Sequence, residues 1–165
     1  MILVSISLVV ALQCAGCGSG SGSADSLPPK TATIVFSAEA TAALPVPVRT
    51  LKIVARIPAG VTVPLNPDGT PVFSTSKSSA LPGGSFIPPL LTITLADTSP
   101  SGLGDTNVGA FAEIIASYPA GAELTEASFT GINNPFPDFT ASGLDSSNTT
   151  VNLTGFLKPS MKVTF

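Results

Sequence analysis

The sequence contains no histidine and no tryptophan, and its two cysteines, Cys14 and Cys17, lie close to the start. Without histidine, the chain lacks the commonest general base and a frequent metal ligand, and its serines have no imidazole to activate them. After residue 17 there is also no thiol for nucleophilic attack or for a cysteine zinc site. We therefore expect a protein that is not an enzyme, with no catalytic residues, no metal and no cofactor.

Carboxylates are the acid–base groups that remain. Three pairs lie close together in the sequence: Glu123 with Glu126, Asp97 with Asp105, and Asp138 with Asp145. A glycosidase needs two carboxylates roughly 5–9.5 Å apart across a cleft, and such clefts normally carry aromatic rings as well. The loop from Asp97 to Asp105 has oxygen ligands for calcium, but its spacing does not match an EF-hand loop. Carboxylates in loops are more commonly just solvated.

Charged residues are also scarce, at 10% of the chain against about 25% in typical proteins. The net charge is −3, and the lysines and arginines form no cluster. This composition argues against nucleic-acid binding, which needs a basic surface. Of the 165 residues, about 135 follow the first thirty, which is the size of one ordinary domain.

The first residues resemble the leader of a bacterial lipoprotein. Ile2–Leu12 is an apolar run of a length typical of a secretory signal, and it is too short to span a bilayer, which takes about 20 residues. The Cys14-Ala15-Gly16-Cys17 segment that follows resembles a lipobox, although Cys14 stands where leucine is usual. The resemblance implies a signal peptide over 1–16 and a diacylglycerol on the sulfur of Cys17.

Two alternatives to a lipoprotein leader remain open. One is plain secretion, with Cys17 as a bystander, and the other is a disulfide or redox pair of the two cysteines. No Lys or Arg precedes Lys30, so the usual basic n-region is missing, and a start site further upstream would account for its absence.

A Gly/Ser run at 18–23 predicts a flexible tether over 17–30, with an end-to-end distance of about 20 Å. We expect a protein held to a membrane by its lipid, in the cell envelope and facing outside the cytoplasm. Gly18 after the lipid cysteine, in place of aspartate, resembles lipoproteins sent to an outer membrane.

Apolar and polar residues alternate in four later segments, which is typical of strands with one buried face. The segments are TATIVFSA at 31–38, TLKIVARI at 50–57, LLTITLAD at 90–97 and TTVNLTGFLKPSMKVTF at 149–165. In the second segment, Lys52 and Arg56 both fall on the face turned to water, which fixes the register. Pro159 cannot donate to a ladder and is expected at an edge, a bulge or a strand start.

Turn-forming residues separate these strands. Turns or loops are predicted at 66–71 (NPDGTP), 81–85 (LPGGS) and 97–107 (DTSPSGLGDTN). Several strands without βαβ alternation predict an all-β fold, an antiparallel β-sandwich, over residues 31–165.

The segment GAFAEIIASYPAG at 109–121 fits two structures. Phe111, Ile114, Ile115 and Tyr118 are spaced as on one face of a helix. As a strand, the same segment would place Phe111 and Ile115 opposite Ile114 and Tyr118, with both faces apolar. We favour a strand because the neighbouring segments are strands, and helix remains the alternative.

The segment LKIVARIPAGVTV, Leu51–Val63, resembles the strand-turn-strand signature of cohesin-like domains. LLTITLAD, followed by a Gly-containing loop and GAFAEIIASYPAGAELTEASF, resembles the later half of that family. The resemblance implies a jelly-roll β-sandwich of about nine strands. It also implies binding of a dockerin-like protein or a polysaccharide, as cohesin-like domains and related carbohydrate-binding modules do.

Three functions follow from these observations. A surface-anchored module that binds a protein partner through a sandwich face is favoured, because the chain offers apolar and threonine-rich surfaces. A carbohydrate-binding module is the alternative, restricted to soluble glycans, since flat polysaccharide surfaces are bound by Trp and Tyr rings and the chain has a single tyrosine. A structural spacer of the envelope is the third.

Overall fold

A computed structural model describes residues 27–77 and 79–165. Its strands are β1 Lys30–Ala40, β2 Val48–Arg56, β3 Leu81–Ile87, β4 Leu90–Ala96, β5 Gly109–Tyr118, β6 Asp138–Leu144, β7 Thr150–Asn152 and β8 Leu157–Thr164. One short helix, α1 Glu126–Thr130, and two 3-10 turns, Gly131–Asn133 and Thr154–Phe156, complete the secondary structure of these residues.

The strands form two antiparallel sheets. The first has three strands in the order β5-β1-β8, and the second has five in the order β3-β4-β2-β6-β7. The chain is therefore an all-β sandwich, as its alternating segments predict. β1, β2, β4 and β8 lie within or largely within the segments that the alternation indicated, and Pro159 lies in β8, an edge strand.

The core lies between the inward faces of the two sheets. Its largest fully buried side chains include Phe36, Phe111, Ile53, Ile93 and Leu95. Each such side chain contributes about 1.5–3 kcal/mol through burial, so the pairing of the inward faces is the main source of stability. The predicted outward positions Lys52 and Arg56 remain outside this core.

Residues 109–118 form strand β5, and a bulge explains why their apolar pattern looked helical. The β1–β5 register shifts between Phe36 and Ser37, which pair with Ala112 and Ala110. Phe111 is thus the extra residue, and the bulge turns its ring into the core, 6.5 Å from the ring of Phe36. Of the four residues that form the helix-like pattern, Ile115 is the one left on the outer face.

The turn predicted at 81–85 is wrong, because these residues begin strand β3. Neither Gly83 nor Gly84 has a positive φ. A side chain on Gly84 would meet the carbonyl oxygen of Thr92 at 2.5 Å and Cγ of Pro71 at 3.1 Å. Close approach of a neighbouring strand and loop, and not a reversal of the chain, therefore requires glycine here. The reversal comes later, at the cis Pro88–Pro89 bond between β3 and β4.

The other two predicted turn or loop segments match the structure. Gly69 in the segment 66–71 has a φ of +83° and donates its N–H to the carbonyl of Asn66. Residues 97–107 form a loop between β4 and β5. The alternating pattern did not predict helix α1, which packs against β8.

The sequence predictions for the leader lie outside the described residues. They are the signal peptide over 1–16, the lipid site Cys17 and the tether as far as residue 26. Among the residues that the structure does describe, no helix has the length and apolar character needed to cross a bilayer.

Candidate functional site

The outward face of the five-stranded sheet carries rows of hydroxyl groups. Alternation along each strand buries residues such as Leu51, Ile93 and Ala141 and turns their neighbours to solvent. We call the resulting surface the hydroxyl face; it consists of Thr50 on β2, Ser85 on β3, Thr92 and Thr94 on β4, and Thr140 and Ser142 on β6.

Strand pairing brings these hydroxyls together across neighbouring strands. Thr50 lies opposite Ser142, and their hydroxyl oxygens are 2.6 Å apart in a hydrogen bond. Beside them, the ammonium of Lys52 lies 2.8 Å from the carboxylate of Asp138. Because both side chains are about two-fifths exposed, this ion pair adds little stability. It leaves the middle of the face electrically neutral.

A shallow depression opens in this face at Gly83. It has a volume of about 240 Å³ and lies between the side chains of Leu81, Lys52 and Thr94. A side chain on Gly83 would meet the Thr94 hydroxyl at 2.8 Å. The missing side chain therefore creates the depression and leaves its floor at the backbone of β3.

One margin of the hydroxyl face is apolar. Leu81, Ile87 and Leu90, at the β3–β4 side of the sheet, have 67%, 73% and 41% of their surface exposed. Ile87 and Leu90 are a cross-strand pair at one end of β3, and Leu81 lies at its other end. Exposed apolar side chains next to polar ones are a feature of protein-binding surfaces.

The outward face of the three-stranded sheet differs, because charge alternates across it. Glu39 lies opposite Lys158, and Val35 is flanked by Glu113 on one side and Lys162 on the other. Mixed charge of this kind is typical of a solvated surface, and we do not place the site there.

In the loop considered for calcium, the first carboxylate is buried and already accepts hydrogen bonds from the protein. Asp97 is 3% exposed, accepts a hydrogen bond from the Ser79 hydroxyl at 2.5 Å, and accepts another from the Ser99 amide at 2.7 Å. The bond from Ser79, followed by the bonds from Ser99, lowers the pKa of Asp97 below its ordinary value. In the described part of the chain, no three Asp, Glu, Cys or His side chains come close enough to hold a metal ion.

The other candidate carboxylates have separate partners. Asp138 pairs with Lys52, and Asp145 accepts hydrogen bonds from the amides of Ser147 and Thr149. Each of these two carboxylates therefore has its own partner within the fold.

Glu123 and Glu126 do share a cavity, at the end of the sandwich. The cavity has a volume of about 720 Å³, and Lys30, Tyr118 and Phe165 also line it. Phe165 is 55% exposed as a residue, and its ring meets that of Tyr118 edge-on, with 5.8 Å between the ring centroids. We call this space the end cavity.

Period-two alternation located Thr50, Thr92 and Thr94 of the hydroxyl face from sequence. It missed Ser85, Thr140 and Ser142, because neither β3 nor β6 was predicted as a strand. Two further features were also missed. The depression was missed because the glycines of β3 indicated a turn. The Lys52–Asp138 pair was missed because it joins strands 86 residues apart in the sequence, and nothing local links them. Comparison of the chain with protein-family models, with curated proteins and with solved structures gave no match.

Proposed function

We propose that this protein is a non-catalytic binding or assembly module of the bacterial cell envelope. In this proposal a lipid on Cys17 anchors it to a membrane, with the sandwich outside the cytoplasm, and it recognises a protein partner through the hydroxyl face. The observation that carries the proposal is the joining of a hydroxyl-rich surface, whose one unpaired charge among these strand residues is Arg56 beside Leu90, to the exposed apolar margin at Leu81, Ile87 and Leu90.

The chemistry of the hydroxyl face suits a protein partner. Threonine hydroxyls can donate and accept hydrogen bonds, and their side chains are stiff at χ1, so little freedom is lost on binding. The neutral Lys52–Asp138 pair offers both signs of charge without a strong field. The depression at Gly83 can receive one side chain of the partner, which is how most interfaces place an anchor residue.

The jelly-roll topology, the ninth strand and the cohesin-like relationship belong to the same proposal. The segment 61–75 supports it, because Thr62 and Ser74 each exchange a reciprocal pair of backbone hydrogen bonds with β5 at Ser117 and Glu113. This segment occupies the place that a further strand would have beside β5. A dockerin-like chain is the kind of partner that the resemblance implies.

Site-specific crosslinking in the source organism tests the protein-binding proposal. A photoreactive amino acid at Thr140 lies on the hydroxyl face, and the matched control at Thr164 lies on the outward face of the other sheet. Both positions are exposed threonines. We expect one discrete protein adduct from position 140 and none from position 164. Equal adducts from both positions, or no adduct from position 140, would refute the proposed face.

A second candidate, binding of a soluble glycan, rests on the end cavity. The exposed ring of Phe165 offers a surface for the C–H face of a sugar, and Glu123 offers hydrogen-bond acceptors. A glycan array with the full chain tests this function. Signals that disappear in Phe165→Ala and persist in Thr140→Ala would favour the glycan over the protein partner.

The lipid anchor has its own test. Cells expressing the chain are labelled with a palmitate analogue, and Cys17→Ser is compared with Cys14→Ser. We expect the label to be lost in Cys17→Ser and kept in Cys14→Ser, because only Cys17 occupies the modified position of the lipobox-like segment. Label that persists in Cys17→Ser would disprove the anchor while leaving the binding proposal open.

A further inference from the structure

The sheet edges of this sandwich are not equally protected. Within residues 27–77 and 79–165, the outer edge of β5 is hydrogen-bonded to Thr62 and Ser74. On the outer edge of β8, Glu126 accepts the amide hydrogen of Val163 at 3.3 Å, and Pro159 has no amide hydrogen to offer. The edge strand β7 has only three residues. β3, with seven residues and no charge, is the remaining edge of these sheets.

The pairing of β4 shows which groups β3 turns outward. Asp97 donates its amide to Arg49, and Ile57 donates to Pro89, so the odd-numbered residues of β4 bond to β2 and the even-numbered ones to β3. The β3 residues opposite those even-numbered β4 residues therefore have their backbone groups hydrogen-bonded to β4; they are Leu81, Gly83, Ser85 and Ile87. Pro82, Gly84 and Phe86 consequently present theirs at the open edge. In the described part of the chain, no other backbone or side-chain hydrogen bond reaches these three residues.

The exposed side chains of β3 are placed symmetrically about Gly84. Ile87 and Leu81 are the most exposed large apolar side chains of the described strands, at 73% and 67%. Each lies three residues from Gly84, and both project from the outward face of the sheet. A second β3, placed antiparallel with Gly84 opposite Gly84, therefore sets Leu81 of each copy opposite Ile87 of the other.

We propose that β3 is a self-association site, at which two copies of this chain pair edge to edge in an antiparallel arrangement about a two-fold axis at Gly84. In this register all seven residues are paired. The Gly84 amides bond to each other's carbonyls, and each Phe86 amide bonds to the Pro82 carbonyl of the other copy. The five-stranded sheets become one continuous sheet.

Side-chain complementarity selects this register over its neighbours. Leu81 and Ile87 would form non-hydrogen-bonded pairs, in which side chains approach most closely. Shifting the axis to residue 83 sets Leu81 opposite Ser85, and shifting it to residue 85 sets Ile87 opposite Gly83, so either shift loses the pairing of Leu81 with Ile87. Since β3 carries no charge, pairing also places no like charges opposite each other.

A cleft of about 330 Å³ lies beside Pro82, Gly83 and Gly84, and the loop from Asn66 to Phe73 forms its other wall. Pro71 of this loop lies against the inward side of Gly84, so a second chain would approach in the plane of the sheet. The contact is nevertheless small, because one seven-residue strand covers less than the roughly 800 Å² per partner of a standard interface. The pairing is thus weak in solution and becomes significant where copies are concentrated.

Sedimentation velocity on the full chain tests the proposal. Cys14→Ser and Cys17→Ser are present throughout, to exclude disulfides and lipidation, and protein concentration runs from about 10 µM to about 1 mM. We expect the sedimentation coefficient to rise with concentration as a monomer–dimer equilibrium. Leu81→Lys with Ile87→Lys sets lysine against lysine and should weaken dimerisation at least about tenfold.

A charge reversal tests the register itself. In Leu81→Lys with Ile87→Glu, each lysine faces a glutamate of the other copy, so dimerisation should return to near the wild-type level. Ile115→Lys, at an exposed apolar position on the other sheet, should leave it unchanged. A wild-type chain that stays monomeric at every concentration would overturn the proposal. Unchanged dimerisation of the double lysine variant would also overturn it. The same holds if the Leu81→Lys, Ile87→Glu variant dimerises as weakly as the double lysine variant. The two proposals share Leu81 and Ile87, but Thr140 on β6 lies outside the β3 contact, so a failed dimer and a failed partner adduct are distinguishable.

Discussion

The side chain of Asn133 and the backbone of Arg56 bind each other reciprocally. The Arg56 amide donates to Oδ1 of Asn133 at 2.6 Å, and Nδ2 of Asn133 donates to the Arg56 carbonyl at 2.8 Å. The second hydrogen on Nδ2 goes to the Phe129 carbonyl at 2.8 Å. Asn133, 3% exposed, thus imitates a strand residue at the end of β2 and fastens the turn after α1 to the sheet.

We expect Asn133→Ala to lower the free energy of unfolding by about 2–4 kcal/mol, because it leaves the part-buried amide and carbonyl of Arg56 and the buried carbonyl of Phe129 without partners. Chemical denaturation monitored by circular dichroism measures the change. Asn134→Ala, at the exposed neighbouring asparagine, is the control and should change stability by less than about 0.5 kcal/mol. Equal effects at the two positions would contradict the role given to Asn133.

Two glycines with positive φ allow conformational strain to be separated from steric collision. Gly102 and Gly109 have φ values of +58° and +66°. A side chain on Gly109 meets nothing within 4 Å, whereas one on Gly102 would collide with the Val48 carbonyl oxygen, which accepts the Leu103 amide at 2.7 Å. We expect Gly109→Ala to cost about 1–2 kcal/mol and Gly102→Ala to cost clearly more. Thermal unfolding of the two variants compares their losses of stability. Similar losses would show that the 97–107 loop can shift to accommodate a side chain at position 102.

The buried carboxylate of Asp97 should make the fold sensitive to acid. Its hydrogen bonds from Ser79 and Ser99 lower its pKa in the folded protein below the ordinary 3.8. The stabilisation is therefore fully present above about pH 4 and is lost as the pH falls through the lowered pKa. Asp97→Asn, which keeps the shape of the side chain, should be less stable than the wild type at pH 7, and the difference should shrink below pH 3.8. Urea unfolding from about pH 7 to about pH 2 measures this, with exposed Asp105→Asn as the control; a constant difference would contradict the assignment.

The sequence predicted those parts of the fold that depend on local alternation. The positions of β1, β2, β4 and β8, and the outward placement of Lys52 and Arg56, follow from which residues can be buried. β3 was missed because two glycines in an extended strand look like a turn, and only the approach of Thr92 and Pro71 explains them. The Asn133 contact was missed because it depends on the distance between residues 77 positions apart.

The bulge in β5 provides the last prediction, because it assigns opposite roles to two residues that plain alternation would place on one face. Phe111 is fully buried beside Phe36, whereas Ile115 is 58% exposed. We expect Phe111→Ala to lower the free energy of unfolding by about 3–5 kcal/mol through the cavity that it leaves, and Ile115→Ala to change it by less than about 1 kcal/mol. Denaturation of both variants by guanidinium measures the two changes. If β5 were instead a regular strand, Phe111 and Ile115 would lie on the same face of the sheet and the two substitutions would have comparable effects.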